Sequence, residues 1–297
     1  MQLKHIFLAI LVAVLWGFNF VASKYALKEV PQFLFAGTRF LLLTLPFIFF
    51  VPKPNISWTH LISIGFIQGF MAYACLFKGL TLGCPAGITS VAFQIHIAFT
   101  LVLSYFVLKI TPTRRQVFGV CVSAVGMFMI IKSLHAQSIP IEAMLMVLAA
   151  SMCWAISNLL LKCAGNVNSF SLVIWTCIFA PIPNYICAYF LNGPDVIAHT
   201  LENISFYAIV ALFYVVVFVS LIGSTTQTYL IRTYSPNIVM PYSLLIPIVG
   251  MGAGWIVFGE TMSLETIIAC AVVFIGLAIN QSLTYKKINP LFKNEKL

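Results

Sequence analysis

Long apolar segments, separated by short polar ones, decide what this sequence can fold into. Apolar residues make up 61% of the 297 residues and charged residues only 8%, whereas a soluble domain is about a quarter charged. A helical membrane span needs roughly 20 mostly apolar residues, so the chain has room for many spans and none for a soluble domain. Because the apolar runs are unbroken rather than alternating, they favour helices over barrel strands.

Ten spans joined by short connections are predicted. They are 5–24, 32–51, 60–79, 84–108, 116–132, 140–162, 170–191, 205–230, 235–258 and 264–285. The predicted fold class is therefore an all-α membrane protein with ten transmembrane helices. The lipid bilayer is one expected partner.

The basic residues predict the orientation, because Lys and Arg are enriched in cytoplasmic loops. With the N-terminus inside, eleven basic residues lie on the inner side and four on the outer, and only Arg39 is left within a span. Both termini are therefore expected in the cytoplasm. The net charge of +9 comes from these loops and a tail, so it does not indicate a nucleic-acid partner.

A ten-residue motif occurs twice. Leu15–Lys24 returns 138 residues later as Cys153–Lys162, and Cys84–Gly87 corresponds to Ser235–Ile238 at an offset of 151. The change in offset predicts a longer loop in the second half, at Asn192–Asn203. Five spans in each half would make the second half enter from the opposite side, which is typical of secondary transporters.

The predicted organisation is thus two inverted five-helix repeats, at 1–133 and 134–286, followed by a basic cytoplasmic tail at 287–297. The sequence contains no catalytic motif and no paired acids within a span. Neither an enzyme nor a bound metal or cofactor is expected. The oligomeric state is left open, since the GxxxG pairs fit packing within one chain.

Polar side chains within spans usually face the bundle interior. Trp16 and Asn19 share one helix face in the first copy of the motif, and Trp154, Ser157 and Asn158 lie similarly in the second. They are candidates for the wall of a substrate cavity. The alternative is that Asn and Ser only bond neighbouring helices.

Four charged residues are candidates for structural or gating roles. Lys24 and Lys162 end their helices, where they would act as interfacial anchors or as gates. Arg39 would pair with an outer acid such as Glu260, reach the interface, or contact substrate.

The fourth and ninth spans carry further candidates. Gln94 is a substrate candidate and His96 a proton-coupling candidate, the alternative for His96 being a neutral side chain bonded to a neighbouring helix. Two residues apart on a helix, the two side chains are expected to face opposite sides. Pro241 and Pro247 are expected to break the ninth helix, with Tyr242 at the break.

These features resemble the EamA repeat of the drug/metabolite transporter superfamily. The residues that carry the resemblance are Trp16–Asn19, Ala36–Phe40, Pro85–Gly87, Gln94, Pro241–Pro247 and Gly259–Glu260. The resemblance implies a central cavity near Asn19, Gln94 and Tyr242, with efflux by alternating access. The first half departs from the pattern, because Leu108–Lys109 replaces the expected Gly-Glu.

The likeness is greatest to amino-acid metabolite exporters of bacterial inner membranes. It implies a secondary transporter that exports small metabolites, such as cysteine or O-acetylserine. Two alternatives are an uptake carrier with the same fold and a non-transporting membrane scaffold or sensor.

Overall fold

The regular elements of the described structure are all helices, and most of them are apolar. The computed structural model describes residues 1–109, 111–136, 139–165, 167–234 and 239–281, and every regular element in those ranges is helical. Seven stretches are long and apolar enough to cross a membrane, namely Leu3–Ala26, Trp58–Thr81, Ala86–Leu108, Arg114–Ser133, Ile141–Cys163, Phe170–Asn192 and Phe206–Gln227. Three shorter apolar helices are Gln32–Thr44, Tyr242–Phe258 and Leu264–Asn280. The tail 287–297 and Pro236 lie outside the described residues.

The first half contains seven α-helices and one π-helical segment. They are α1 Leu3–Ala26, α2 Gln32–Thr44, α3 Trp58–Ile64, the first π segment Gly65–Ala72, α4 Tyr73–Thr81, α5 Ala86–Phe93, α6 His96–Leu108 and α7 Arg114–Ala136. The π segment joins α3 to α4 without interrupting the helix.

Among its described residues, the second half contains eight α-helices, one π segment and one 3-10 segment. Its elements are α8 Ile141–Cys163, α9 Ser169–Cys177, α10 Pro181–Asn192, α11 Pro194–Asn203, α12 Phe206–Phe213, the second π segment Tyr214–Gly223, α13 Ser224–Tyr234, a 3-10 segment Met240–Leu244, α14 Leu245–Phe258 and α15 Leu264–Gln281.

The two halves pack against one another at equivalent places. Helix α1 packs on α14, and α8 packs on α4, α6 and the first π segment. Helix α2 packs on α10, and α7 runs along α15. Each of these contacts joins the first half to the second. A central cavity can therefore form in the region between the halves.

Aliphatic and aromatic side chains also cover the outside of the bundle. Large examples are Phe49, Phe50, Phe106, Phe128, Phe190, Phe206, Trp255 and Ile256. A soluble monomer rarely exposes so much apolar surface. Surrounding lipid accounts for it, because hydrocarbon solvates these side chains as well as a protein core does.

Two predicted spans are shorter or broken for local reasons. Helix α2 ends at Thr44 rather than near residue 51, because Pro46 has no N–H with which to continue the helical hydrogen bonds. The span predicted at 170–191 is broken between Cys177 and Pro181, since Pro181 supplies no N–H and starts a new helix.

The segment expected to be a longer loop at Asn192–Asn203 is a helix instead. Helix α11 begins with Pro194 at its first position, after Gly193 with a φ of 83°. Proline is pre-organised for a first helical turn. The position of the extra residues was predicted correctly, but their conformation was not.

Candidate functional site

A cavity of about 560 Å³ lies between the two halves. Its walls come from both halves and include residues of α1, α4, α5, α6, α8 and α14, and also of α2 and α9. It reaches Gln116 at the start of α7, Gln227 in α13 and Asn280 at the end of α15. A side pocket of about 240 Å³ shares Ser220 and Ser224 with it.

Seven of the residues singled out in the sequence line this cavity. They are Trp16, Asn19, Arg39, Gln94, His96, Trp154 and Asn158. Both copies of the repeated motif therefore contribute a Trp and an Asn to one space. Their side chains come from α1 in the first half and α8 in the second.

Other candidates lie outside the lining. Ser157 is fully buried and donates to Gln68 Oε1 at 3.0 Å, so it holds a lining residue in place. Tyr242 packs beside the buried cluster that contains Leu230, and its neighbour Ser243 lines the cavity instead. Lys162 is exposed at the end of α8 and makes no ion pair with a described residue.

The expectation that Gln94 and His96 cannot share one cavity was wrong, because both line it. The helix is interrupted at this point. The N–H groups of Gln94 and Ile95 bond to carbonyls three residues back, on Val91 and Ala92. This tight turn ends α5 and starts α6, so the 100° rotation per residue of an α-helix does not apply across it.

Pro247 explains how Gln94 is held. Pro247 lies in the first turn of α14 rather than in its interior, which corrects the predicted position of the break; of Pro241 the structure describes only the backbone of the 3-10 segment. Pro247 has no N–H to donate to the carbonyl of Ser243, four residues before it. Gln94 Nε2 donates to that carbonyl at 3.1 Å.

Aromatic rings form one wall. The ring centroids of Trp154 and Phe93 are 5.4 Å apart, and those of Trp154 and Tyr73 are 6.0 Å apart, both edge to face. His96 is 5.5 Å from Phe93, and its Nδ1 is buried without a hydrogen-bond partner among the described residues. The wall offers apolar contact with few hydrogen bonds.

Arg39 is the charged group of the cavity lining. It is 2% exposed, and Nε and Nη2 both donate to Ser220 Oγ, at 3.2 and 3.0 Å. Its Cζ lies 4.5 Å from the centroid of the Tyr73 ring. Of the alternatives considered for Arg39, pairing with Glu260 is not seen, because Glu260 is engaged with Lys24.

Glu260 joins three helices at the end of the bundle that was predicted to face outside. Its Oε1 accepts from Lys24 Nζ and from the N–H of Ala86, both at 2.7 Å, and its Oε2 accepts from the N–H of Gly87 at 3.1 Å. A carboxylate at a helix N-terminus is favoured by the unpaired N–H groups and the helix dipole. We call this arrangement the Glu260 clasp.

The two π segments were not predicted. They lie at equivalent places in the two halves, and they supply Gln68 and Ser220 to the cavity. Ser220 Oγ donates to Val215 O at 2.9 Å, five residues back. The apolar pattern of the third span in each half carries no signal for π geometry, although an uncharged Gln within a span marks Gln68 as a polar position.

Comparison with known proteins gives the chain its family. A model described as the EamA-like transporter family matches residues 3–132 and again residues 141–281. A Salmonella typhimurium protein named "Probable amino-acid metabolite efflux pump" is 33% identical over 285 residues, covering 94% of this chain and 95% of that protein. The Escherichia coli protein of the same name is 30% identical, with the same coverage. A solved crystal structure, 17% identical, matches with a TM-score of 0.64 over 96% of this chain and 100% of that one, which shows a shared fold. The chain is therefore a multi-pass membrane protein that belongs to the EamA-like transporter family.

Proposed function

We propose that this transporter exports small metabolites, amino acids or derivatives such as cysteine or O-acetylserine, by alternating access. The cavity of about 560 Å³ between the halves carries the proposal. Small-molecule sites have volumes of about 300–1,000 Å³, so the cavity suits a metabolite and is too small for a folded partner. The name of the two relatives supports efflux and the amino-acid class.

We propose further that the chain is an inverted repeat of ten spans with both termini in the cytoplasm of a bacterial plasma membrane. The reciprocal packing of α1 on α14 and of α8 on α4 and α6 supports this. So do the two π segments at equivalent places. In this orientation the cavity extends to the cytoplasmic end, and the Glu260 clasp closes the other end.

Excretion by cells tests the proposed function. We expect cells that express the protein to accumulate more cysteine and O-acetylserine in the medium, and to tolerate more cysteine, than cells without it. Ile97→Trp should abolish both effects, because Ile97 lines the cavity and the larger side chain would fill it. The matched control is Ile267→Trp, at an exposed position outside the cavity lining.

Equal excretion with and without the protein, at confirmed expression, would contradict amino-acid export. Equal excretion by the Ile97→Trp variant would show that the cavity is not the path. A scaffold or sensor predicts no effect of either substitution, and an uptake carrier predicts less cysteine in the medium.

His96 is the proposed proton-coupling residue, because its unpartnered Nδ1 is in a cavity-lining side chain. We expect the rate of amino-acid efflux from proteoliposomes loaded with L-cysteine to depend on pH in the wild type and to lose that dependence in His96→Gln. His60→Gln, on α3 and outside the lining, serves as the control. An unchanged pH profile in His96→Gln would dismiss the role.

A further inference from the structure

We propose that Arg39 binds the carboxylate of the exported metabolite and that Asn19 Oδ1 accepts a hydrogen bond from its ammonium group. The inference rests on the proposed function and adds the groups that would recognise an α-amino acid. It starts from two unpartnered polar atoms in the lining of one cavity, Arg39 Nη1 and Asn19 Oδ1.

Arg39 has more hydrogen-bonding capacity than its surroundings use. A guanidinium carries five N–H donors. Ser220 Oγ accepts from Nε and Nη2, while Nη1 is buried and makes no hydrogen bond within the described part of the chain. An arginine with a purely structural role would have its donors paired, because leaving a buried charge unpaired is costly.

A counter-ion for Arg39 is missing from the described lining. None of the described lining residues is an aspartate or glutamate, and the ion pair found among the described residues joins Lys24 to Glu260. The Tyr73 ring compensates only part of the charge, because a cation–π contact leaves the N–H donors free. A carboxylate would supply both the charge and two acceptors in the geometry that a guanidinium prefers.

The second unpartnered atom suits the other end of an amino acid. Asn19 Oδ1 is a buried acceptor on α1, and the amide carbonyl is a partner for an ammonium N–H. With one cation and no described carboxylate in its lining, the cavity should accept zwitterions and carboxylates and reject amines that lack a carboxylate.

Three thiols of similar size test the carboxylate and the ammonium group separately. We would measure their binding to the purified full-length protein in lipid nanodiscs: L-cysteine, cysteamine, which lacks the carboxylate, and 3-mercaptopropionate, which lacks the ammonium group. For the wild type we expect cysteamine to bind roughly 10- to 100-fold more weakly than L-cysteine, because a hydrogen bond to a charged group is lost. We expect 3-mercaptopropionate to fall between them.

Arg39→Gln should lower the affinity for L-cysteine to that for cysteamine. Arg39→Lys keeps the charge, so it should retain part of the difference between the two affinities. Asn19→Leu should weaken the binding of L-cysteine but not that of 3-mercaptopropionate. If Arg39→Gln does not fold, the three ligands on the wild type still decide.

Equal affinities of L-cysteine and cysteamine for the wild type would overturn the inference and leave amino-acid export standing, and so would a cysteine preference that survives Arg39→Gln. Failure of L-cysteine and O-acetyl-L-serine to bind at all, together with unchanged excretion by cells, would overturn the proposed function itself.

Discussion

Replacing Glu260 with glutamine is expected to lower the stability of the protein and to slow transport by about tenfold or more. Glutamine keeps one acceptor oxygen but loses the charge that holds Lys24 Nζ and the N–H groups of Ala86 and Gly87. Since hydrogen bonds to charged groups are worth about 1.5–3 kcal/mol each, and the Glu260 side chain is only 9% exposed, solvent compensates little of the loss.

The thermal midpoint of the purified protein and the efflux rate from proteoliposomes measure these effects. Lys24→Gln should cost less than Glu260→Gln, because it leaves the carboxylate bonded to the start of α5. Glu265→Gln, an exposed acid in the first turn of α15, is the matched control and should change neither. A Lys24→Gln variant as damaging as Glu260→Gln would mean that the clasp is only an ion pair.

Substitution of Gly276 with alanine is expected to disrupt the contact between α7 and α15. A Cβ at this position would clash with the backbone nitrogen of Ser123 and lie 2.7 Å from the carbonyl oxygen of Gly119. Both contacts are with the α7 backbone, so no side chain can rotate away. We expect α7 and α15 to separate, at a cost of about 1–3 kcal/mol or more.

Gly252→Ala is the matched control. Gly252 lies in α14, and an added Cβ there would meet no atom within 4 Å. The change should be neutral or stabilise by up to about 1 kcal/mol, because alanine favours helix more than glycine does. Yields of monodisperse protein and thermal midpoints measure both variants. Equal behaviour of the two alanines would show that the α7–α15 contact is looser than the structure indicates.

Most of the fold could be predicted from the lengths of the hydrophobic runs and from the repeated motif. Lys24 and Lys162 lie in the last turns of α1 and α8, as their places in the motif predict. The motif also brought Asn19 and Asn158 to the same cavity. These predictions depend on the spacing of residues along single helices, which is a local property.

The errors came from interactions between distant segments. Glu260 was suggested as an ion-pair partner of Arg39. The free N–H groups at the start of α5 and the charge of Lys24 compete for the same carboxylate more effectively. Gln94 and His96 were separated by assuming an ideal helix, whereas the helix breaks between them. A single sequence does not state which carbonyl Gln94 reaches, because Ser243 is 149 residues away along the chain.

In the proposed alternating cycle, the Glu260 clasp would give the two ends of the carrier unequal closing energies. Lys109, which follows α6, has a φ of 56°, and Gly259, which follows α14, has a φ of 63°. The residue after Lys109 in the sequence, however, is Ile110 rather than a glutamate. An isoleucine side chain cannot accept hydrogen bonds from backbone N–H groups. Because about 1.4 kcal/mol shifts a population tenfold, a carrier that alternates between two openings would rest mostly with the clasp shut. A cytoplasmic substrate would then find the cavity already open, and a carrier without the clasp would spend less of its time ready to accept that substrate.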